Sequence, residues 1–362
     1  MELIGSAPGK VFVVGEYGVV GGGPAVVATV TRRLRSRVRA RRGPGDLVVH
    51  AGGRAVRCPL ATERIHDLPP EARFVAGAVL VSARVLDLHG LDLEVETESD
   101  LDRGTSKTGL GGSAAVTAAT VSAVHGLARP TLGDADDEHV RVAVAVYAHR
   151  LVQGGGSAAD VVAASVGGLV WVDGLDGNDV PSDVGACAAR VRGDRPIAFE
   201  RLTLPAGLTL EVVASGHACA TGPRVARYTS LLRAAAGTPA GDGVRAWAAG
   251  MRVTAEMFRR GCRSGDGALV LHAIRVAGAL LSRLGALTAI PVFTAELRRA
   301  CALAATIPAA AAKPSGAGGG DCAIALVAQD RRAHLRQLWR EAGLEPLAVD
   351  LDPAGARCEV TT

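Results

Sequence analysis

The chain has 362 residues, 48% of them hydrophobic and 21% charged, with a net charge of +4. That length allows a sizeable core in two domains or one large one. The composition is that of an ordinary soluble globular protein, and 3% aromatic content gives no stacking platform for single-stranded nucleic acid.

In chain order, "KVFVVG" from Lys10 and "PAVVATV" from Pro24 read as strands around the turn-rich "EYGVVGGG". The basic run "TRRLRSRVRARR" (31–42) alternates Arg35, Arg37, Arg39 and Arg41. A period of two reads as the wet face of a strand, with a polyanion site as the other reading. "DLVVH" and "AVRCPL" are short strands, and "EARFVAGAVLVSARVLDLHG" is a helix with a glycine stop at Gly90. "LDLEVETES" alternates as a strand, followed by a lysine–glycine loop and an alanine-rich helix over 113–127. "DADDEHVRVAVAVYAHRLVQ" is acidic at its start and carries Arg150 near its end, as a helix dipole favours. "GGGSAADVVAASVGG" is a second loop entering a helix, and "LVWVDG" a strand.

The pattern loosens between Asp173 and Pro205, and the expected domain division is 1–190 and 191–362. The second half reads as a strand ("LTLEVVASG"), helices near 223–236, 241–262, 265–286 and 293–306, a strand ("CAIALVA"), a helix ("DRRAHLRQLWREAG") and a last strand ("EPLAVDL"). The fold class is α+β with two domains.

Seven scattered cysteines with no CxxC fit a reducing cytoplasm. "MELIGSAPGK" has neither a basic n-region nor an apolar h-region, and no uncharged apolar run is long enough to span a membrane.

Of forty basic residues only three are lysine, the others arginine. Such bias turns surface lysines into arginines wherever either serves. Lys10, Lys107 and Lys313 each stand beside a glycine-rich stretch, where a compact point charge and a planar fork are not equivalent. A glycine-rich loop running into a helix N-terminus is an anion site, because its backbone N–H groups face the ligand. "KTGLGGSAA" has that form: Gly109, Leu110, Gly111 and Gly112 lead into Ser113 and Ala114. Ser113 either caps the helix or binds the magnesium of a nucleotide. The segment is neither a Walker A motif nor a dinucleotide fingerprint.

Together, "APGKVFVVGEY…GGGPAVV", "KTGLGGSAA" and "KPSGAGGGDCAIAL" resemble the first, second and third motifs of the GHMP kinases, in the same order along the chain. The resemblance implies a two-domain fold: an N-terminal domain of the ribosomal protein S5 domain 2 type and a ferredoxin-like C-terminal domain. It implies ATP bound across the second motif with Mg²⁺. Within the family the details resemble the phosphomevalonate kinase branch, which implies phosphorylation of 5-phosphomevalonate in isoprenoid synthesis. Mevalonate kinases are the alternative; where they place a metal-binding glutamate, this chain has His149. A nucleotide-binding relative without catalysis is a second alternative. Two departures stand out: Gly112-Ser113 replaces a double serine, and Ala158 replaces a glycine in "GSAAD".

The resemblance implies roles residue by residue. Lys10 balances charge at the transferred phosphoryl or the acceptor, and Asp160 resembles the family's catalytic aspartate. Lys107 clamps a phosphate, with Gly109–Ala114 holding the nucleotide and Ser113 the metal. Lys313 is either a further phosphate contact or structural at a strand entry. Glu16, Tyr17, His149, Ser157, Ser215, Thr221, Gly318 and Gly319 are expected on the acceptor side. The partners implied are ATP and a small anion, with neither nucleic acid nor membrane, for a monomer or homodimer.

Overall fold

The computed structural model describes residues 1–102, 108–132, 138–175, 177, 179–194, 196–234 and 237–360. The elements among them are β1 (Glu2–Val14), β2 (Pro24–Arg42), β3 (Asp46–Ala51), β4 (Arg54–Pro59), α1 (Arg73–Leu86), β5 (Leu91–Ser99), α2 (Gly112–Leu132), α3 (Glu138–Gln153), α4 (Ala159–Val166), β6 (Leu169–Asp173), α5 (Val184–Gly193), β7 (Phe199–Leu202), β8 (Leu208–Ala214), α6 (Thr221–Arg233), α7 (Pro239–Ser264), α8 (Gly267–Thr288), α9 (Ala295–Ala305), β9 (Ala310–Pro314), β10 (Cys322–Ala328), α10 (Arg332–Glu341), β11 (Glu345–Pro346) and β12 (Arg357–Val360).

Two sheets organise them. The first runs β12-β1-β2-β5-β3-β4, with β6 added to β2 and β7 to β6. The second runs β11-β8-β10-β9. Every pairing is antiparallel except β3 with β5. Sheet membership crosses residue 190: β7 and β12 both lie beyond it and both belong to the first sheet.

The two strands expected around Pro24 and Ser36 are one continuous strand, β2. Val26, Val30, Leu34 and Val38 are buried, while Arg35, Arg37 and Arg41 are exposed. The arginines meet carboxylates on neighbouring strands, Arg35 with Asp100 at 3.0 Å and Arg37 with Glu2 at 3.0 Å. That is a solvated strand face.

Helix α2 lies tightly on β1 because both surfaces are small. Ala115, Ala119 and Ala123 are fully buried, and a methyl group on Gly5 would come within 2.0 Å of the Ala119 carbonyl oxygen. In the second sheet, alternation along β10 serves two cores. Ala323, Ala325 and Val327 join a cluster with Leu297, Ala300, Leu335 and Trp339. Ile324 and Leu326 join the main core with Ile274, Ala277 and Leu281 of α8.

Helix α8 is long and apolar enough to cross a membrane by length and composition alone. Its buried face packs against α7 and β9. Helix α1 stops at Asp87, which takes the left-handed conformation at φ 56°, three residues before the expected Gly90. The stretch after Asp173 where the pattern loosens contains α5, capped by Asp183 accepting from the Ala186 N–H at 2.7 Å, and the short β7. The segment read as a last strand, "EPLAVDL", pairs only at Glu345–Pro346 and at a single bridge from Leu351 to Val30.

Candidate active site at the edge of the first strand

The site is built along one edge of β1. β12 pairs with β1 only over residues 3–6. A bulge between Pro8 and Gly9 follows. Beyond it, the Lys10 N–H donates to the Leu110 carbonyl at 2.8 Å, and the Phe12 N–H donates to Ser315 Oγ at 2.8 Å. One strand edge thereby fastens the second and third glycine-rich motifs side by side, although they lie some two hundred residues apart in sequence.

The second motif enters through Thr108, whose hydroxyl donates to the Leu101 carbonyl at 2.7 Å and whose N–H donates to Asp102 Oδ1 at 2.9 Å. Lys107 lies outside the described residues. Two glycines of the loop are required by both conformation and contact. Gly109 has φ 74° and Gly111 φ 81°. A Cβ on Gly109 would sit 2.4 Å from Asp321 Cβ, and one on Gly111 would sit 2.5 Å from Lys10 Cε. The lysine side chain and the Asp321 side chain therefore lie directly on the loop backbone.

Helix α2 starts at Gly112. The first helical N–H to find a backbone partner in this turn is that of Ala115, which donates to Gly111 O at 3.0 Å. The N–H groups ahead of it sit at the positive end of the helix dipole. Nothing lies within 4 Å of a Cβ placed on Gly112, so this end faces open space. The arrangement can hold an anion.

Behind that turn, His149 Nε2 lies 3.2 Å from Ser113 Oγ. The imidazole is 1% exposed, and its Nδ1 has no hydrogen-bond partner among the described residues. Burial pushes its pKa below the ordinary value; the Asp160 carboxylate opposes this, and Lys10 and Arg150 reinforce it. The ring is therefore neutral at pH 7. Asp160 is the second residue of α4, half-buried, with Oδ1 accepting the Val161 N–H at 3.0 Å. A carboxylate at a helix start is favoured by the dipole. Ala158, just ahead, holds φ 60°, the left-handed region that glycine tolerates best. Ser157 Oγ accepts the Ala159 N–H at 3.4 Å.

The third motif closes the site. Asp321 adopts φ 56°; its N–H donates to the His217 carbonyl at 2.6 Å, and its Oδ1 accepts the Cys219 N–H at 3.1 Å. Burial raises the pKa of Asp321, while the Cys219 N–H, Lys10 and Arg224 pull it down. The aspartate of "KPSGAGGGDC", Asp321, was not among the site residues expected from sequence; its place over Gly109 makes it part of the site. The Ser215 N–H donates to the Asp321 carbonyl at 2.8 Å, and its buried hydroxyl lies 3.2 Å from both polar backbone atoms of His217. Thr221 is exposed at the first position of α6. A Cβ on Gly318 would come 2.3 Å from the Val292 carbonyl oxygen, and one on Gly319 would come 2.3 Å from Arg224 Nη2.

Three expected contributors turn inward. Glu16 and Lys313 form an ion pair whose side chains are 1% and 0% exposed, and Lys313 Nζ also donates to the Pro314 carbonyl at 2.9 Å. The Tyr17 hydroxyl donates to the Ala317 carbonyl at 2.7 Å, and its ring packs 5.3 Å from that of Tyr228. Of the two readings of Lys313, this geometry fits the structural one: it neutralises Glu16, because a carboxylate at that depth must be paired, and it joins the first motif to the third.

Comparison with known proteins matches this architecture. The model of the GHMP kinases N-terminal domain matches residues 73–168, and that of the GHMP kinases C-terminal region matches 258–343. The phosphomevalonate kinase of Streptomyces sp. (strain CL190) is 33% identical, covering 96% of each chain. The mevalonate kinase of Aeropyrum pernix is 26% identical, covering 98% of this chain and 97% of its own. The Lin0012 protein from Listeria innocua superposes with a TM-score of 0.79 at 22% identity, over 100% of this chain and 99% of the other. Streptococcus pneumoniae phosphomevalonate kinase in complex with phosphomevalonate and AMPPNP superposes with a TM-score of 0.73 at 18% identity, over 96% and 99%. The chain belongs to the GHMP kinase family of phosphotransferases.

Proposed function

We propose that the protein transfers the γ-phosphoryl group of ATP to the phosphate of 5-phosphomevalonate, giving the diphosphate and ADP. The observation that carries this reading is the Lys10 side chain laid across Gly111 at the open start of α2. The choice of acceptor is supported by the relative that is 33% identical over nearly the whole chain.

Phosphoryl transfer is mainly positioning and charge neutralisation. The nucleotide's phosphates rest on the N–H groups of Gly112, Ser113 and Ala114, with Lys107 as a further clamp. An oxygen of the acceptor phosphate attacks the γ-phosphorus, and the bond from that phosphorus to the bridging oxygen of ADP breaks. A phosphate monoester has a second pKa of about 6, so the attacking oxygen needs no proton removed at pH 7. Lys10 balances the charge that builds between the two phosphates. Asp160 orients Lys10 and the acceptor, and acts as a base only for an alcohol acceptor.

The oxygen donors at the site, Ser113 Oγ and the Asp160 carboxylate, fit a hard divalent cation such as Mg²⁺, which takes one or two protein oxygens beside phosphates and water. Bound there, it supplies neutralisation of the nucleotide's phosphate charge. Ser157, Ser215 and Thr221 line the acceptor side, and the protein works in the cytoplasm.

ADP release tests the reading. Release with phosphomevalonate and none with mevalonate supports it. Release with mevalonate alone favours the mevalonate kinase reading, for which the Aeropyrum pernix relative argues. Nucleotide binding without turnover of any acceptor means a non-catalytic relative.

A further inference from the structure

A phosphomonoester acceptor brings about two negative charges of its own, separate from those of the nucleotide. Lys313 is taken up by Glu16, and Lys10 lies on the nucleotide loop. Another cation has to meet the second anion. Several arginines are committed to carboxylates, as Arg33 is to Asp352 and Arg259 to Glu200.

Arg224 differs. It is the fourth residue of α6, and its side chain folds back over the start of that helix. Nη1 donates to the Ala220 carbonyl at 3.0 Å and touches Cys219 Sγ. Nη2 lies so close to Gly319 that a Cβ there would be 2.3 Å away. Nε is buried, with no hydrogen-bond partner among the described residues. Arg224 makes no ion pair among the described residues. Its charge still reaches the site, since it acts on Asp321 together with Lys10, and on Tyr17 of the first motif. Beside it, Thr221 is exposed, and a Cβ on Gly222 would meet nothing within 4 Å.

We infer that Arg224, with the Thr221 hydroxyl and the N–H of Gly222, is the acceptor's phosphate receptor and so decides between a phosphorylated acceptor and a neutral one. The inference rests on the proposed acceptor. It uses a guanidinium whose planar fork suits phosphate oxygens. A side chain at Gly319, which has φ 73°, would meet both that fork and the Pro291 carbonyl.

Steady-state kinetics of the whole enzyme with Arg224→Met and Arg224→Lys tests this. The expected result for Arg224→Met is a rise in KM for phosphomevalonate of roughly 30- to 100-fold, as for loss of a charge-assisted pair, with the KM for ATP little changed. Arg224→Lys should recover part of the loss. In the wild type, KM for phosphomevalonate should rise as pH falls below about 6, where the dianion is lost; that dependence should flatten in Arg224→Met. An active wild type combined with an unchanged phosphomevalonate KM in Arg224→Met overturns this assignment alone. A parallel rise in KM for ATP overturns it too, since the change would then be structural. A wild type inert towards phosphomevalonate overturns the proposed function, and this assignment with it.

Discussion

The Lys10 side chain runs across the backbone of Gly111, so that a Cβ on the glycine would come within 2.5 Å of Lys10 Cε and 3.0 Å of its Cγ. The contact ties the first motif's cation to the start of α2. Gly111→Ala should therefore do two things. It forces a left-handed φ of 81° on a residue with a side chain, costing about 1–3 kcal/mol, and it pushes the ammonium aside. We expect kcat to fall at least tenfold while the thermal midpoint drops by only a few degrees. Calorimetry and a coupled ADP assay would measure both.

The Glu16–Lys313 pair should behave as a buried ion pair of structural kind. Glu16→Leu or Lys313→Met alone leaves one charge without its partner in a dry site, a loss of about 3–5 kcal/mol. The double variant Glu16→Leu/Lys313→Met removes both charges and should recover most of that loss in denaturant titrations. A double variant as unstable as the worse single would show that the pair matters for something other than mutual neutralisation.

His149 should make stability depend on pH. Its folded pKa is depressed by burial below the ordinary 6.5. The unfolded chain then binds the proton more readily, so this contribution is complete above about pH 6.5 and is lost as pH falls from there towards the folded value. His149→Phe should lose that acid sensitivity. Denaturant midpoints between pH 5 and pH 8 would check it, with a flatter curve expected for the variant.

Asp160→Asn should cost less with a phosphate acceptor than base catalysis would demand. General-base assistance is worth about 10²–10⁴-fold; loss of orientation alone should cost up to about a hundredfold. The ratio of kcat values at pH 7.5 gives the answer. A loss of a thousandfold or more would contradict a role confined to positioning.

Much of this was legible in the residues because glycines, lysines and helix caps carry local signals. "KTGLGGSAA" announces a loop entering a helix, and α2 begins where the serine and alanines begin. Thr238, Asp266 and Thr294, each capping a helix at its first turn, mark the C-terminal helices to within a few residues. What was hidden depends on distant pairing. β7 and β12 are four-residue strands whose only reason to be strands is a partner elsewhere in the sheet. The burial of Lys313 depends on Glu16, 297 residues away, and nothing near Lys313 reveals it. Arg224 was invisible for another reason: one arginine in a chain rich in them carries no signal until its neighbours show it unpaired. Asp87 closing α1 in place of Gly90 shows how an aspartate can adopt the left-handed turn that a glycine leads one to expect.

In the proposed mechanism, transfer depends on the charge of the Lys10 ammonium, whose side chain lies against the start of α2. Lys10→Arg keeps the charge but replaces the point with a wider fork. Its kcat with phosphomevalonate, measured beside its affinity for ATP, is the most direct test. The expected result is a fall in kcat of roughly a hundredfold or more, as on loss of one transition-state contact, with ATP affinity within about threefold of the wild type. Turnover close to the wild-type rate would contradict it.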